Sequence, residues 1–131
     1  MSISAPRAAI VFAAALLAAC ADTSTPLSSS LTTRETSLGP VLADARGMTL
    51  YTYADDEPGV SNCGMLCKEY WPPALAPSGA QPSGDITVVT LDDGTKQWAY
   101  KDRPLYTYVD DKAPGDVTGE GADGEWYVVK Q

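Results

Sequence analysis

The 131-residue sequence contains no histidine. Ser-His-Asp and Cys-His nucleophilic machinery, histidine zinc or copper sites and histidine-ligated haem are therefore excluded. No glycine-rich loop follows a strand and opens a helix, so nothing supports a phosphate cradle for a nucleotide. Basic residues are scarce, nine against seventeen acidic ones, giving a formal charge of −8. Such an acidic chain is a poor partner for nucleic acid or for anionic lipid headgroups. There is one phenylalanine, so any aromatic core must be built from the seven tyrosines and three tryptophans. Long apolar runs are also missing. The stretch Ala8 to Leu17 is too short to cross a bilayer of roughly 30 Å as a helix.

That stretch has the layout of an export signal over residues 1–19, with Arg7 as its positive n-region. It closes on Leu17-Ala18-Ala19-Cys20, which matches the bacterial lipobox. Cys20 is then the expected lipidation site and mature N-terminus, carrying fatty-acyl chains such as palmitate. Each buried CH2 contributes about 0.8 kcal/mol, and several chains together anchor far more tightly than one. The expected partner is a membrane, reached through those chains, with an unidentified envelope protein as a further partner class. Loss of Arg7 with the signal makes the mature charge −9 (−8 − 1). Ala21 after the cysteine resembles the sorting preference for the outer membrane in a two-membrane host. Residues 20–37, rich in serine and threonine, read as a flexible tether.

Residues 38–131 remain as one small domain, and its main feature is a duplication. Leu50-Tyr51-Thr52-Tyr53-Ala54-Asp55-Asp56 returns as Leu105-Tyr106-Thr107-Tyr108-Val109-Asp110-Asp111, 55 positions later. The same offset sets Trp71 opposite Trp126 and Gly64 opposite Gly119; extended upstream, it sets Leu42 opposite Gln97 and Arg46 opposite Lys101. Constant spacing through loops and strands alike marks a repeated supersecondary unit. The expected fold is mainly β, a small antiparallel domain built from two homologous halves at about 38–77 and 93–131. Turn signals delimit strands at 40–44, 48–54, 86–91, 96–100, 104–109 and 125–129. The segment 63–71 has helix-forming residues and no β-branched ones, which predicts one or two helical turns ending before Pro72-Pro73. Alternation should bring Tyr51, Tyr53, Tyr106 and Tyr108 to one face, with Trp71, Trp98 and Trp126 capping the core.

Three groups could carry chemistry. Cys63 and Cys67 are the cysteines left once Cys20 is acylated, and an exported compartment favours a disulfide between them. The sharper alternative is a thiol-redox pair, although the spacing has one residue too many for Cys-x-x-Cys. Carboxylates follow each Tyr-x-Tyr: Asp55, Asp56 and Glu57, then Asp110, Asp111, Asp116, Glu120 and Asp123. Asp110, Asp116, Glu120 and Asp123 are the weak candidates for a calcium-like cation, which wants six to eight oxygens. The bland alternative is that such residues accept bonds from turn N–H groups. The aromatic residues are either core or a ligand face, tyrosine and tryptophan being suited to both. No catalytic constellation and no cofactor are expected.

Tyr51-x-Tyr53-x-x-Asp56 and Tyr106-x-Tyr108-x-x-Asp111 resemble the Tyr-x-(Phe/Trp/Tyr)-x-x-Asp signature of bacterial lipoproteins described as a secreted repeat of unknown function. Cys63-x-x-x-Cys67-x-x-x-Trp71-Pro72-Pro73, Gln97-Trp98-x-Tyr100, Pro104-Leu105-Tyr106 and Gly115-Asp116-x-x-Gly119 are similar as well. The resemblance implies a repeat domain and an exported lipoprotein, and it brings no activity with it. The function expected is a lipid-anchored, non-catalytic binding or structural module of the cell envelope.

Overall fold

The computed structural model describes Ser2, Ser4 and residues 30–131. Cys20 and most of the signal and tether segments lie outside the described residues. The tether does not run to Ser37, because strand β1 (Thr32–Thr36) already pairs antiparallel with β2 (Gly39–Ala43). β1 is exposed along most of its length, with no apolar alternation to betray it. Its threonines suit an extended edge strand as well as they suit a tether.

The hairpin β1–β2 has its counterpart in β5 (Ile86–Thr90) and β6 (Lys96–Tyr100), also antiparallel. Thr33 pairs with Leu42 in the first hairpin and Val88 with Trp98 in the second. Strand β2 therefore corresponds to β6 at an offset of 56, which corrects the upstream pairing of Leu42 with Gln97 and of Arg46 with Lys101. The cause lies in the turns. Two residues separate Thr36 from Gly39, whereas three separate the equivalent Leu91 from Thr95. The following turn makes up the difference, with five residues between the bridged Ala43 and Thr49 but four between Ala99 and Pro104. In the longer turn Gly47 takes positive φ; in the shorter one Lys101 and Asp102 both do, as a two-residue hairpin of this hand requires.

The halves exchange their ends. β3 (Tyr51–Tyr53) of the first half pairs with β8 (Trp126–Val128) of the second. β4 (Leu75–Ala76), which closes the first half, pairs with β6 of the second. Conversely, Lys130 bridges Val41, and the Leu42 N–H donates to Val129 O at 2.8 Å. Between the halves, Tyr51 N donates to Tyr106 O at 2.8 Å and Tyr106 N to Tyr51 O at 2.9 Å. The expected strand over 104–109 is reduced to β7 (Arg103–Pro104) and this bridge at Tyr106. Its residues find partners one at a time, Tyr106 bridging both Tyr51 and Pro73.

Alternation across that central bridge makes two cores. Tyr51 and Tyr106 point into one with Val41, Cys63, Trp71, Trp126 and Val128. Leu50 and Leu105 point into the other with Leu42, Ala74, Ala80, Trp98 and Val129. Trp98 thus sits apart from the other two tryptophans. Helix α1 (Met65–Tyr70) is the predicted helical segment, and none of its residues is buried. Among the described residues the fold is mainly β and antiparallel, with one short α-helix and two repeats. Among the described residues, no helix is long and apolar enough to cross a membrane.

Candidate functional site

The duplicated motif does not close on itself; it crosses to the other half. Tyr51 donates its hydroxyl to Asp111 Oδ2 at 2.7 Å, and Tyr106 donates to Asp56 Oδ2 at the same distance. The other oxygen of each carboxylate holds its own following loop. Asp56 Oδ1 accepts the Asn62 N–H at 2.6 Å, and Asp111 Oδ1 accepts the Thr118 N–H at 2.9 Å and the Thr118 hydroxyl. Both aspartates are more than nine-tenths buried, so these bonds replace the water that the charges lose. A hydrogen bond to a charged group contributes about 1.5–3 kcal/mol. Of the two roles open for Asp56 and Asp111, tying down the following loop or facing a ligand, the loop bonds are present, and a tie between halves is added to them.

Burial shapes the ionisation of this network. It pushes the Asp56 carboxyl above its usual range, against the opposing bonds from Asn62 and Tyr106. Burial also raises the phenols of Tyr51 and Tyr106, and the carboxylate each one meets raises them further. The two sites differ in their third member. Tyr106 Oη lies 2.6 Å from Ser61 Oγ, whereas Tyr51 Oη accepts the Gly119 N–H at 3.2 Å.

The outer tyrosines of the motif take part in a column of rings. Tyr53 stacks on Trp126 with centroids 4.4 Å apart, Trp126 on Trp71 at 3.9 Å, and Trp71 on Tyr108 at 4.1 Å. The central tryptophans are parallel to within 2°. Tyr51 and Tyr106 meet Trp71 and Trp126 edge-on from the interior, at 5.3 and 5.2 Å. Aromatic pairs in such geometries add about 0.5–1.5 kcal/mol beyond the area they bury. Sequence alternation thus groups all four tyrosines correctly, with Tyr51 and Tyr106 inside and Tyr53 and Tyr108 half-exposed.

An open groove of about 510 Å³ runs across the other side of the column. One wall is α1, through Leu66, Cys67 and Tyr70; the other is the segment carrying Ala122, Asp123 and Glu125. By the 55-residue offset these walls are equivalent segments, Cys67 matching Ala122 and Tyr70 matching Glu125. The first wall is apolar and the second acidic. At the ends, the Tyr53 hydroxyl donates to Asp55 Oδ2 and the Tyr108 hydroxyl to Asp110 Oδ2, both at 3.2 Å.

The cysteines form a disulfide, Cys63–Cys67, with Cα atoms 5.2 Å apart. It spans the start of α1 and holds that wall against the ring column. Closing so short a loop contributes about 2 kcal/mol in the chain-entropy model. The acidic residues weighed for a cation are not gathered. Asp116 Oδ2 accepts the N–H groups of Lys112 and Ala113, which lower its pKa, and Glu120 Oε2 accepts the Val128 N–H. Among the described residues, no group of three or more Cys, Asp or Glu is placed to hold a metal ion. Asp123 lines the groove instead, and Asp110 accepts the Tyr108 hydroxyl at its end. Ser61, Asn62 and Thr118 were not evident as site residues, their only signal being position, five to seven residues after a motif aspartate. Gly119 stood out only as the counterpart of Gly64 and as part of the family stretch.

No curated protein and no solved structure matches the chain. A family model does match, twice, over residues 32–75 and 87–130. Both ends of the two matches are 55 positions apart, the spacing of the motif itself, and the first begins with β1. The chain belongs to the family described as a secreted repeat of unknown function.

Proposed function

We propose that the protein is a non-catalytic binding module of the cell envelope, tethered by acyl chains on Cys20, with the aromatic groove as its ligand face. One observation carries this reading. Both oxygens of each motif carboxylate accept bonds from within the fold, while the outer tyrosines of the same motifs open onto a groove. A buried aspartate that accepts a donor on each oxygen, one from its own loop and one from the opposite half, acts as a brace between them. Tyr53 and Tyr108 combine apolar faces with hydroxyls, the combination that ligand faces use.

Anchoring and binding are tested separately. Cys20→Ser should move the protein from the membrane fraction to the soluble envelope fraction; an unchanged distribution contradicts the tether. For binding, isotope-labelled acylated protein in lipid nanodiscs is titrated with fractions of an envelope extract. Amide shifts centred on Tyr53, Leu66, Tyr70 and Tyr108 support the groove as ligand face. A spectrum unchanged by every fraction contradicts it.

A further inference from the structure

We infer that the groove takes a linear aliphatic diamine or polyamine, its methylene stem lying along the ring column and its ammonium groups meeting the carboxylates at the two ends. The inference rests on the binding-module reading and names the ligand class for the same groove.

The first argument is charge. Asp123 and Glu125 line the groove, Asp55 and Asp110 flank its terminal phenols, and no lysine or arginine lines it. An acidic groove on a chain of net charge −8 selects a cation. The second argument is spacing. A metal ion needs its oxygens gathered around one point, and no such gathering exists among the described residues. The carboxylates are instead spread along the column, whose four rings are separated by 4.4, 3.9 and 4.1 Å. Charges spread this way match a ligand whose own charges are spread along a chain.

The third argument is the surface between the ends. Leu66 and Tyr70 are largely exposed on one wall, and the edges of Trp71 and Trp126 form the floor. Methylene groups laid there leave water at about 25 cal/mol per Å² of apolar surface. The fourth argument is symmetry. Asp55 and Asp110 are equivalent residues of the two halves, each bonded to the equivalent phenol, so the groove presents the same feature at both ends. A diamine with an ammonium at each end has that symmetry. Burial, and after it the nearby carboxylates, raises the Tyr53 and Tyr108 phenols at the two ends.

The acylated protein in nanodiscs is titrated with putrescine, spermidine, n-butylamine and magnesium chloride at constant ionic strength, read by amide shifts and tryptophan fluorescence. Spermidine should saturate the groove resonances and bind at least tenfold more tightly than n-butylamine, with magnesium leaving those resonances in place. Asp123→Asn/Glu125→Gln should weaken spermidine at least tenfold with an unchanged melting temperature. Asp55→Asn/Asp110→Asn, at exposed positions, gives a second variant of the same sign should the first be poorly folded. Equal binding of the monoamine, the same shifts with magnesium, no saturable shift, or full affinity in folded variants would each overturn the inference. If envelope fractions shift the groove and polyamines do not, the ligand class fails and the binding module stands. If neither does, both fail.

Discussion

Tyr51 and Tyr106 act through both ends of their side chains. Their rings sit edge-on against tryptophans, and their hydroxyls donate to carboxylates of the opposite half. The raised phenol pKa values have a consequence for stability. An unfolded tyrosine ionises near 10, whereas the folded protein holds these two protons to higher pH, burial being the main cause. Above about pH 10 the native state therefore binds more protons than the unfolded state, and stability falls as pH rises. This contribution is complete below pH 10 and is lost toward the folded pKa. Thermal melts between pH 8 and 11.5 should show a melting temperature that declines from about pH 10 upward. The Tyr51→Phe/Tyr106→Phe variant should start lower and decline less. Parallel declines in the two proteins would contradict this assignment.

At the scale of elements, the column is held by close approach of a loop to a ring. A Cβ on Gly119 would lie 2.7 Å from Trp71 Cη2 and 3.0 Å from Tyr108 Cδ2. Trp71 is stacked on both faces and cannot yield. Gly119→Ala should therefore destabilise by about 1–3 kcal/mol in urea denaturation, the cost of overpacking. Gly64, its counterpart in the first half, has nothing within 4 Å of such a Cβ, although it is the N-cap of α1. Gly64→Ala should cost less than about 1 kcal/mol. Equal costs at the two glycines would show that the ring contact is not what constrains position 119. Elements with an apolar signal were legible in the sequence, as with Ile86–Thr90 and the helix before Pro72-Pro73. β1 was not, because four of its five residues are exposed. It could have been found by carrying the duplication upstream, since Thr32 to Glu35 stand opposite Thr87 to Thr90.

At the scale of the whole molecule, the described domain is two copies of one unit that complete each other. The duplication and the shared aromatic interior could be read from the chain, whereas for Asp56 and Asp111 bracing a loop was one of two roles left open. The crossing could not be read. Each tyrosine is followed by its own aspartate five residues later, so spacing alone does not say which half the partner belongs to. Only the exchange of β3 and β8, and of β4 and β6, brings Tyr51 to Asp111 and Tyr106 to Asp56. The groove was equally hidden, because its walls are equivalent segments that meet across the tryptophan pair.

That crossing is the claim on which fold and groove both rest, and double-mutant cycles measure it directly. Stabilities by urea denaturation are needed for Tyr51→Phe, Tyr106→Phe, Asp56→Asn and Asp111→Asn, and for their four tyrosine–aspartate combinations. The account predicts coupling of about 1–3 kcal/mol for Tyr51 with Asp111 and for Tyr106 with Asp56, against less than about 0.5 kcal/mol for Tyr51 with Asp56 and Tyr106 with Asp111. Coupling concentrated in the two within-half pairs would contradict it.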